Sequence, residues 1–200
     1  MRGIARAHSV VLDPHKGLFL PYGTGALLVR DGAALHRAHT IAADYMPPMQ
    51  EDADLVDFCE ISPELSKPFR GLRVWLPLKL LGAAPFRAAL AEKLALTRWA
   101  TEELRRIPEI EILAEPQLSV VAFRLHPESW RGLPAAEVNR RNRDFLDRIN
   151  ARKRVMLTPT MLGDRFALRI CVVSFRTHQD RMEDCLADIR AAAAEVLDIR

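Results

Sequence analysis

The sequence predicts an α/β segment followed by a small α+β domain, and three features carry that prediction. Two short apolar runs, Val10-Val11-Leu12 and Ala26-Leu27-Leu28-Val29, read as strands flanking a loop rich in glycine and proline. A helical pattern opens at Pro85 and runs to about Arg106. Beyond it, strand-like and helix-like patterns alternate to the end, which gives a small sheet with helices on one face. The expected divisions are residues 1–84, a connecting helix over 85–106 and a small domain over 107–200.

Each element has a local reason. Residues 8–30 read as buried strand, active loop and second strand. Residues 31–66 lack strong periodicity. They hold Tyr45-Met46-Pro47-Pro48 and the acidic stretch Glu51-Asp52-Ala53-Asp54, and a long irregular segment is often functional. Val74 to Leu81 is an apolar helical run interrupted by Pro77, with Gly82 as its stop. In the long helix, Phe86, Leu90 and Leu94 share one face, with Glu92, Lys93, Arg98 and Glu102 as its polar residues. Strands are expected over Glu109 to Leu113, Leu118 to Leu125, Val155 to Thr158 and Phe166 to Val173. A helix over 134–152 turns Val138, Phe145, Leu146 and Ile149 inward, and its arginines read as a solvated face. Thr177 with Asp180 resembles a capping box. It opens a last helix with Met182, Leu186, Ile189, Ala193 and Val196 inward.

The segment Asp13-Pro14-His15-Lys16-Gly17-Leu18-Phe19-Leu20-Pro21-Tyr22-Gly23-Thr24-Gly25 carries the chemistry. Its lysine lies between two strands, which predicts a place at the mouth of a sheet rather than on an exposed helix. Partial desolvation there lowers the preference of an amine for its charged form. Such an amine can condense with an aldehyde cofactor. His15 can donate to a phosphate or carboxylate, Pro14 stiffens the approach, and the nearby glycines let backbone come close to a ligand.

This segment resembles the lysine motif of the group II pyridoxal-phosphate-dependent amino acid decarboxylases, which include the aromatic amino acid, histidine and glutamate decarboxylases. Phe69-Arg70-Gly71-Leu72-Arg73-Val74-Trp75 and Phe166-Ala167-Leu168-Arg169-Ile170-Cys171 look like the same family in the same order. The resemblance implies the C-terminal part of a fold-type I transferase: the end of the large cofactor domain plus the small α+β domain. It implies pyridoxal 5′-phosphate as cofactor, an L-amino acid as substrate, release of carbon dioxide and an amine, and a homodimer in the full-length form. Lys16 is then the cofactor lysine, His15 lies near the phosphate or substrate carboxylate, and Asp13 and Thr24 help orient the site. Tyr45, counted from Lys16 without gaps, falls where the family's loop tyrosine delivers a proton to Cα. The aspartate that pairs with the ring nitrogen and the residue that stacks on the ring have no candidate here and are expected upstream of Met1. Gly17 stands where several members carry tryptophan, which leaves the substrate open. Two other readings stand beside decarboxylation: a different pyridoxal phosphate lyase or aminotransferase, and an inactive remnant acting as an interaction module.

The remaining signals are negative. A net charge of +3 from 29 basic and 26 acidic residues, spread along the chain, gives no argument for nucleic acid. No apolar stretch is long enough to span a bilayer and no signal peptide is visible, so a cytoplasmic, reducing setting is expected. Cys59, Cys171 and Cys185 show no metal or redox spacing, and the latter two read as core residues. His36 and His39 lack further partners for zinc. Arg70 and Arg73 are candidates either to anchor a carboxylate or to form structural ion pairs.

Overall fold

A computed structural model describes residues 2–40, 45 and 55–198. The chain divides into two compact units, Met1–Ala83 and Ala84–Arg200.

In the first unit, β1 (Ser9–Leu12) pairs antiparallel with β2 (Ala26–Val29), in the register Ser9 with Val29 and Leu12 with Ala26. The β-branched and aliphatic residues that predicted strands do form them. They are not buried: Val11 is 69% exposed, and Leu12, Leu27 and Leu28 are also open. A two-stranded ribbon has no third layer to cover its faces, so a buried setting for β1 does not hold within this unit. Between the strands lies one helical turn, α1 (Pro14–Gly17), so Lys16 sits on a short helix and not in a loop. Proline at its first position supplies the helical φ without wasting a donor. After β2 comes α2 (Gly32–His39), inside the stretch read as irregular. Its Ala33, Ala34 and Ala38 favour helix, but at eight residues it is too short for an apolar period to stand out. Further on, α3 (Leu72–Leu81) keeps Pro77 inside it and ends at Gly82, whose φ of 72° is left-handed.

The second unit is a four-stranded antiparallel sheet in the order β3-β4-β6-β5, built from β3 (Ile110–Ala114), β4 (Val120–Leu125), β5 (Thr158–Leu162) and β6 (Arg165–Cys171). Val121, Phe123 and Leu125 alternate along β4, and Phe166, Leu168 and Ile170 along β6. They form one core with the inner faces of α4 (Ala84–Arg105), α5 (Ala135–Ala151) and α6 (Gln179–Asp198). The inward residues expected on α5 and α6 are all buried. Three expectations need correction. β5 begins at Thr158 rather than Val155, because Asn150 takes the backbone of Leu157 from both sides, donating to its carbonyl and accepting from its amide. On α4 the buried stripe runs through Lys93, Leu96, Thr97, Ala100, Thr101 and Leu104, while Phe86, Leu90 and Leu94 are only half-buried. Lys93, only 2% exposed, donates to Glu92 at 2.8 Å and to the Thr177 carbonyl at 2.5 Å, so its burial is matched by hydrogen bonds. Cys185 is buried, and burial pushes its thiol up to about 12, whereas Cys171 is exposed at the end of β6 and is not a core residue.

Arg140, Arg141 and Arg148 of α5 are held in ion pairs, while Arg143 lies over the Phe166 ring. Glu137 accepts from Arg140 and Arg141, and those hydrogen bonds hold its carboxyl down at about 2, from an ordinary 4.5. Arg148 pairs with Asp144, while Arg154 and the buried Asp188 join the segment after α5 to α6.

Phe123→Ala empties a fully buried site and is expected to cost about 3–5 kcal/mol in urea unfolding of the chain. An exposed change such as Met156→Ala should stay within about 0.5 kcal/mol. Because Glu137 is more acidic when folded, its ion pairs act in full above pH 4.5 and are lost as pH falls from 4.5 toward 2. Glu137→Gln should therefore flatten that part of the acid-unfolding curve, and an unchanged curve would refute the assignment.

Candidate active site

The backbone from Asp13 to Gly25 folds around three buried side chains, Pro14, Leu20 and Thr24. The Pro14 carbonyl accepts from the amides of Leu18 and Leu20, at 3.1 and 3.3 Å, which turns the chain back after α1. Phe19 takes the left-handed conformation at φ 57°, where glycine is usual, at a cost of about 1 kcal/mol. Thr24, only 1% exposed, donates its hydroxyl to the Pro21 carbonyl at 2.8 Å. The Thr24 carbonyl lies 2.7 Å from His15 Nδ1. A carbonyl can only accept, so Nδ1 carries a proton and Nε2 is left for other contacts. The His15 ring also meets Tyr22 edge-on, with centroids 5.1 Å apart. From α3, Arg73 donates to the Tyr22 carbonyl at 3.2 Å.

Lys16 Nζ donates to the Asp13 carboxylate at 2.6 Å. Asp13 stands at the N-cap of α1, yet its side chain caps no backbone amide. One turn of helix brings a side chain at i beside that at i+3, and the carboxylate turns to the amine. The hydrogen bond from Lys16 holds the Asp13 carboxyl below the usual carboxylate range, and the same bond raises the Lys16 amine above its ordinary value. This corrects the expectation of a desolvated amine with a weakened preference for charge. The Lys16 side chain is 67% exposed, so water and Asp13 both favour the ammonium form.

Lys16, His15, Asp13 and Thr24 are therefore brought together. Tyr45 is 82% exposed, and no hydrogen bond or ring contact among the described residues joins it to Lys16 or His15. Met46-Pro47-Pro48 and Glu51-Asp52-Ala53-Asp54 lie outside the described residues. Arg70 pairs with Glu64 at 3.6 Å, and Arg73 binds a backbone carbonyl rather than a carboxylate. His36 contacts Glu60 at 2.8 Å and Thr40 at 2.9 Å. The roles of Tyr22 and Arg73 were missed, and a contact spanning 51 positions leaves no mark in local sequence.

Residues 1–126 match the pyridoxal-dependent decarboxylase conserved domain. The chain belongs to the pyridoxal-dependent decarboxylase family. Among its relatives, an aromatic-L-amino-acid decarboxylase of Bacillus atrophaeus is 32% identical over 197 residues, covering 98% of this chain and 41% of that protein. An aromatic-L-amino-acid decarboxylase of Catharanthus roseus is 31% identical over 178 residues, covering 88% of this chain and 35% of that one. The chain thus spans about two fifths of the length of the curated decarboxylases it matches. Catharanthus roseus tryptophan decarboxylase, solved in complex with L-tryptophan, superimposes with a TM-score of 0.84 at 27% identity, over 96% of this chain and 38% of that one. Oryza sativa TDC, solved with PLP and tryptamine, gives a TM-score of 0.90 at 20% identity, over 98% and 41%, and shares the fold. Among the described residues of this decarboxylase-family chain, no group of three metal-ligating side chains occurs and no single helix is long and apolar enough to cross a membrane.

Thr24→Val keeps the shape of the buried side chain but removes its bond to Pro21. It should loosen the connection between β1 and β2 and speed hydrogen exchange at the His15 amide, which donates to the Thr24 carbonyl. Unchanged exchange would mean that the Thr24 hydroxyl does not hold the turn.

Proposed function

We propose that this chain carries the cofactor-attachment side of a pyridoxal-phosphate-dependent decarboxylase acting on an L-amino acid. The observation that carries the reading is Lys16 on its one-turn helix between paired strands, within the residues that match the family. The chain corresponds on this reading to the C-terminal part of a fold-type I enzyme. Further polypeptide supplies the ring-nitrogen partner and the stacking residue, and the working form is a homodimer. The length of the curated relatives and the openness of Lys16 support this.

The donor set fits the cofactor: a primary amine reachable from solvent, beside an imidazole whose Nε2 has no hydrogen bond among the described residues. Lys16 would hold the cofactor covalently, and His15 and Asp13 would flank it. When bound, pyridoxal phosphate supplies a ring that accepts the electron pair of a breaking Cα–carboxylate bond. The chain's own residues then orient and protonate. The Thr24 carbonyl and the Tyr22 ring fix the His15 imidazole, so its orientation is set before any ligand arrives. Tyr45 would supply the proton for Cα from its phenol, reaching the site from the neighbouring subunit of the dimer.

Incubating the chain with pyridoxal phosphate and reducing with borohydride should place a stable mass adduct on the Lys16 peptide, absent in Lys16→Arg. In an enzyme reconstituted with the remaining polypeptide, Tyr45→Phe should cut amine production by about 10²-fold or more. No adduct on Lys16 would remove the attachment role, and full activity without the Tyr45 phenol would remove that of Tyr45. Transfer of the amino group to a 2-oxo acid without release of carbon dioxide would instead support an aminotransferase.

A further inference from the structure

The Asp13 carboxylate is oddly employed. At the N-cap of α1 its side chain could accept from the amides of His15 or Lys16, but those amides donate to the carbonyls of Thr24 and Asp13 and no capping bond is made. Among the described residues its side-chain partner is Lys16 Nζ at 2.6 Å. The pair stands at the open end of the connection between β1 and β2, with side chains 39% and 67% exposed for Asp13 and Lys16. Of the groups around it, His15 acts on the Asp13 carboxylate through space and Tyr22 acts on the Lys16 amine. From α3, the Arg73 guanidinium is spent on the Tyr22 carbonyl. His15 donates to Thr24 and does not replace Lys16 on the carboxylate.

We infer that Asp13 is a positioning residue that sets the charge of Lys16, keeping the free amine as ammonium and withholding it from aldehydes until the pair is parted. The inference rests on the reading of Lys16 as the attachment residue. Only a neutral amine attacks a carbonyl carbon. The ammonium must first give one proton to solvent. The nitrogen then bonds to the aldehyde carbon, and the carbonyl oxygen leaves as water with the two hydrogens of the amine. A carboxylate bonded to the ammonium opposes the first of these steps at every pH below the range where lysine titrates. The same contact holds the long lysine side chain beside Asp13 instead of letting it sample all its rotamers, so the restraint is geometric as well as electrostatic. An arriving phosphate or substrate that displaces either partner would free the amine at the moment it is needed.

The test compares the wild-type chain with Asp13→Asn and Asp13→Glu, using pyridoxal phosphate as probe. Labelling is trapped at intervals by borohydride, which adds hydride to the carbon while nitrogen takes a proton, and Lys16 is quantified by peptide mass across a pH series. Separately, lysines are reductively methylated with ¹³C-formaldehyde and the Lys16 methyl signal is titrated by NMR. Asp13→Asn should label Lys16 at least about twofold faster near pH 8 and move its titration midpoint to lower pH, with Lys67 unchanged and Asp13→Glu close to wild type. Equal profiles in wild type and Asp13→Asn, or slower labelling in Asp13→Asn, would overturn the inference. If Lys16 of the wild type takes no label, the attachment reading fails, and the methyl titration alone then decides for or against Asp13.

Discussion

The lysine segment depends on the antiparallel pairing of β1 with β2. Once Leu12 stands opposite Ala26, the ends of the intervening connection are fixed close together, and residues 13–25 must turn back on themselves in a short space. Three devices accomplish this: a single proline-led helical turn, a left-handed Phe19, and a threonine buried under the bend. Each supports the next. The Thr24 hydroxyl closes on Pro21, its carbonyl receives His15, and Tyr22 closes on the same ring. If the pairing slipped by one residue, Leu12 would no longer stand opposite Ala26 and the connection would have to close over a different span.

Two lysines in this chain show how surroundings, not residue type, set chemistry. Lys93 is deeply buried among helices, yet its amine finds a carboxylate and a backbone carbonyl. Removing Glu92 would leave the buried amine to the Thr177 carbonyl without its carboxylate, so that contact is structural. Lys16 has a shorter bond to a carboxylate but stands in water. There the pair contributes little to folding, since solvent competes for both ions. What it changes is the proton affinity of the amine, the property on which nucleophilic chemistry turns. Weak coupling suits a residue that must let go of one partner to take another.

The second unit has a different character. Its sheet face and three helices enclose one continuous core, and polar side chains close the gaps between elements. Asn142 answers both the amide and the carbonyl of Leu125, and Asn139 binds the Asp164 carbonyl and the Phe166 amide. Such fixed polar contacts define register where apolar packing alone would tolerate sliding. The similarity to solved decarboxylases runs through both units, since the superpositions cover nearly the whole chain. Each unit is thus a recognisable part of the family's architecture.

The sequence by itself determined the strands that flank the lysine, the long helix, and the inward faces of α5 and α6. These follow from periodicity and from proline and glycine punctuation, which are local properties of the chain. The family was legible for the same reason, because Asp13, His15 and Lys16 lie within one turn of each other. Helix α2 and the start of β5 were not legible. One is only eight residues long, and the other is set by Asn150 reaching across to Leu157. The charge state of Lys16 was misread because an apolar run does not say whether anything lies on top of it. That is a matter of layers, and β1 and β2 form a ribbon with open faces. Only the tertiary structure could decide that solvent reaches the amine, that Asp13 binds it, and that Arg73 steadies the turn from far along the chain. Exposure and long-range contact are properties of how elements are assembled, and no local window contains them.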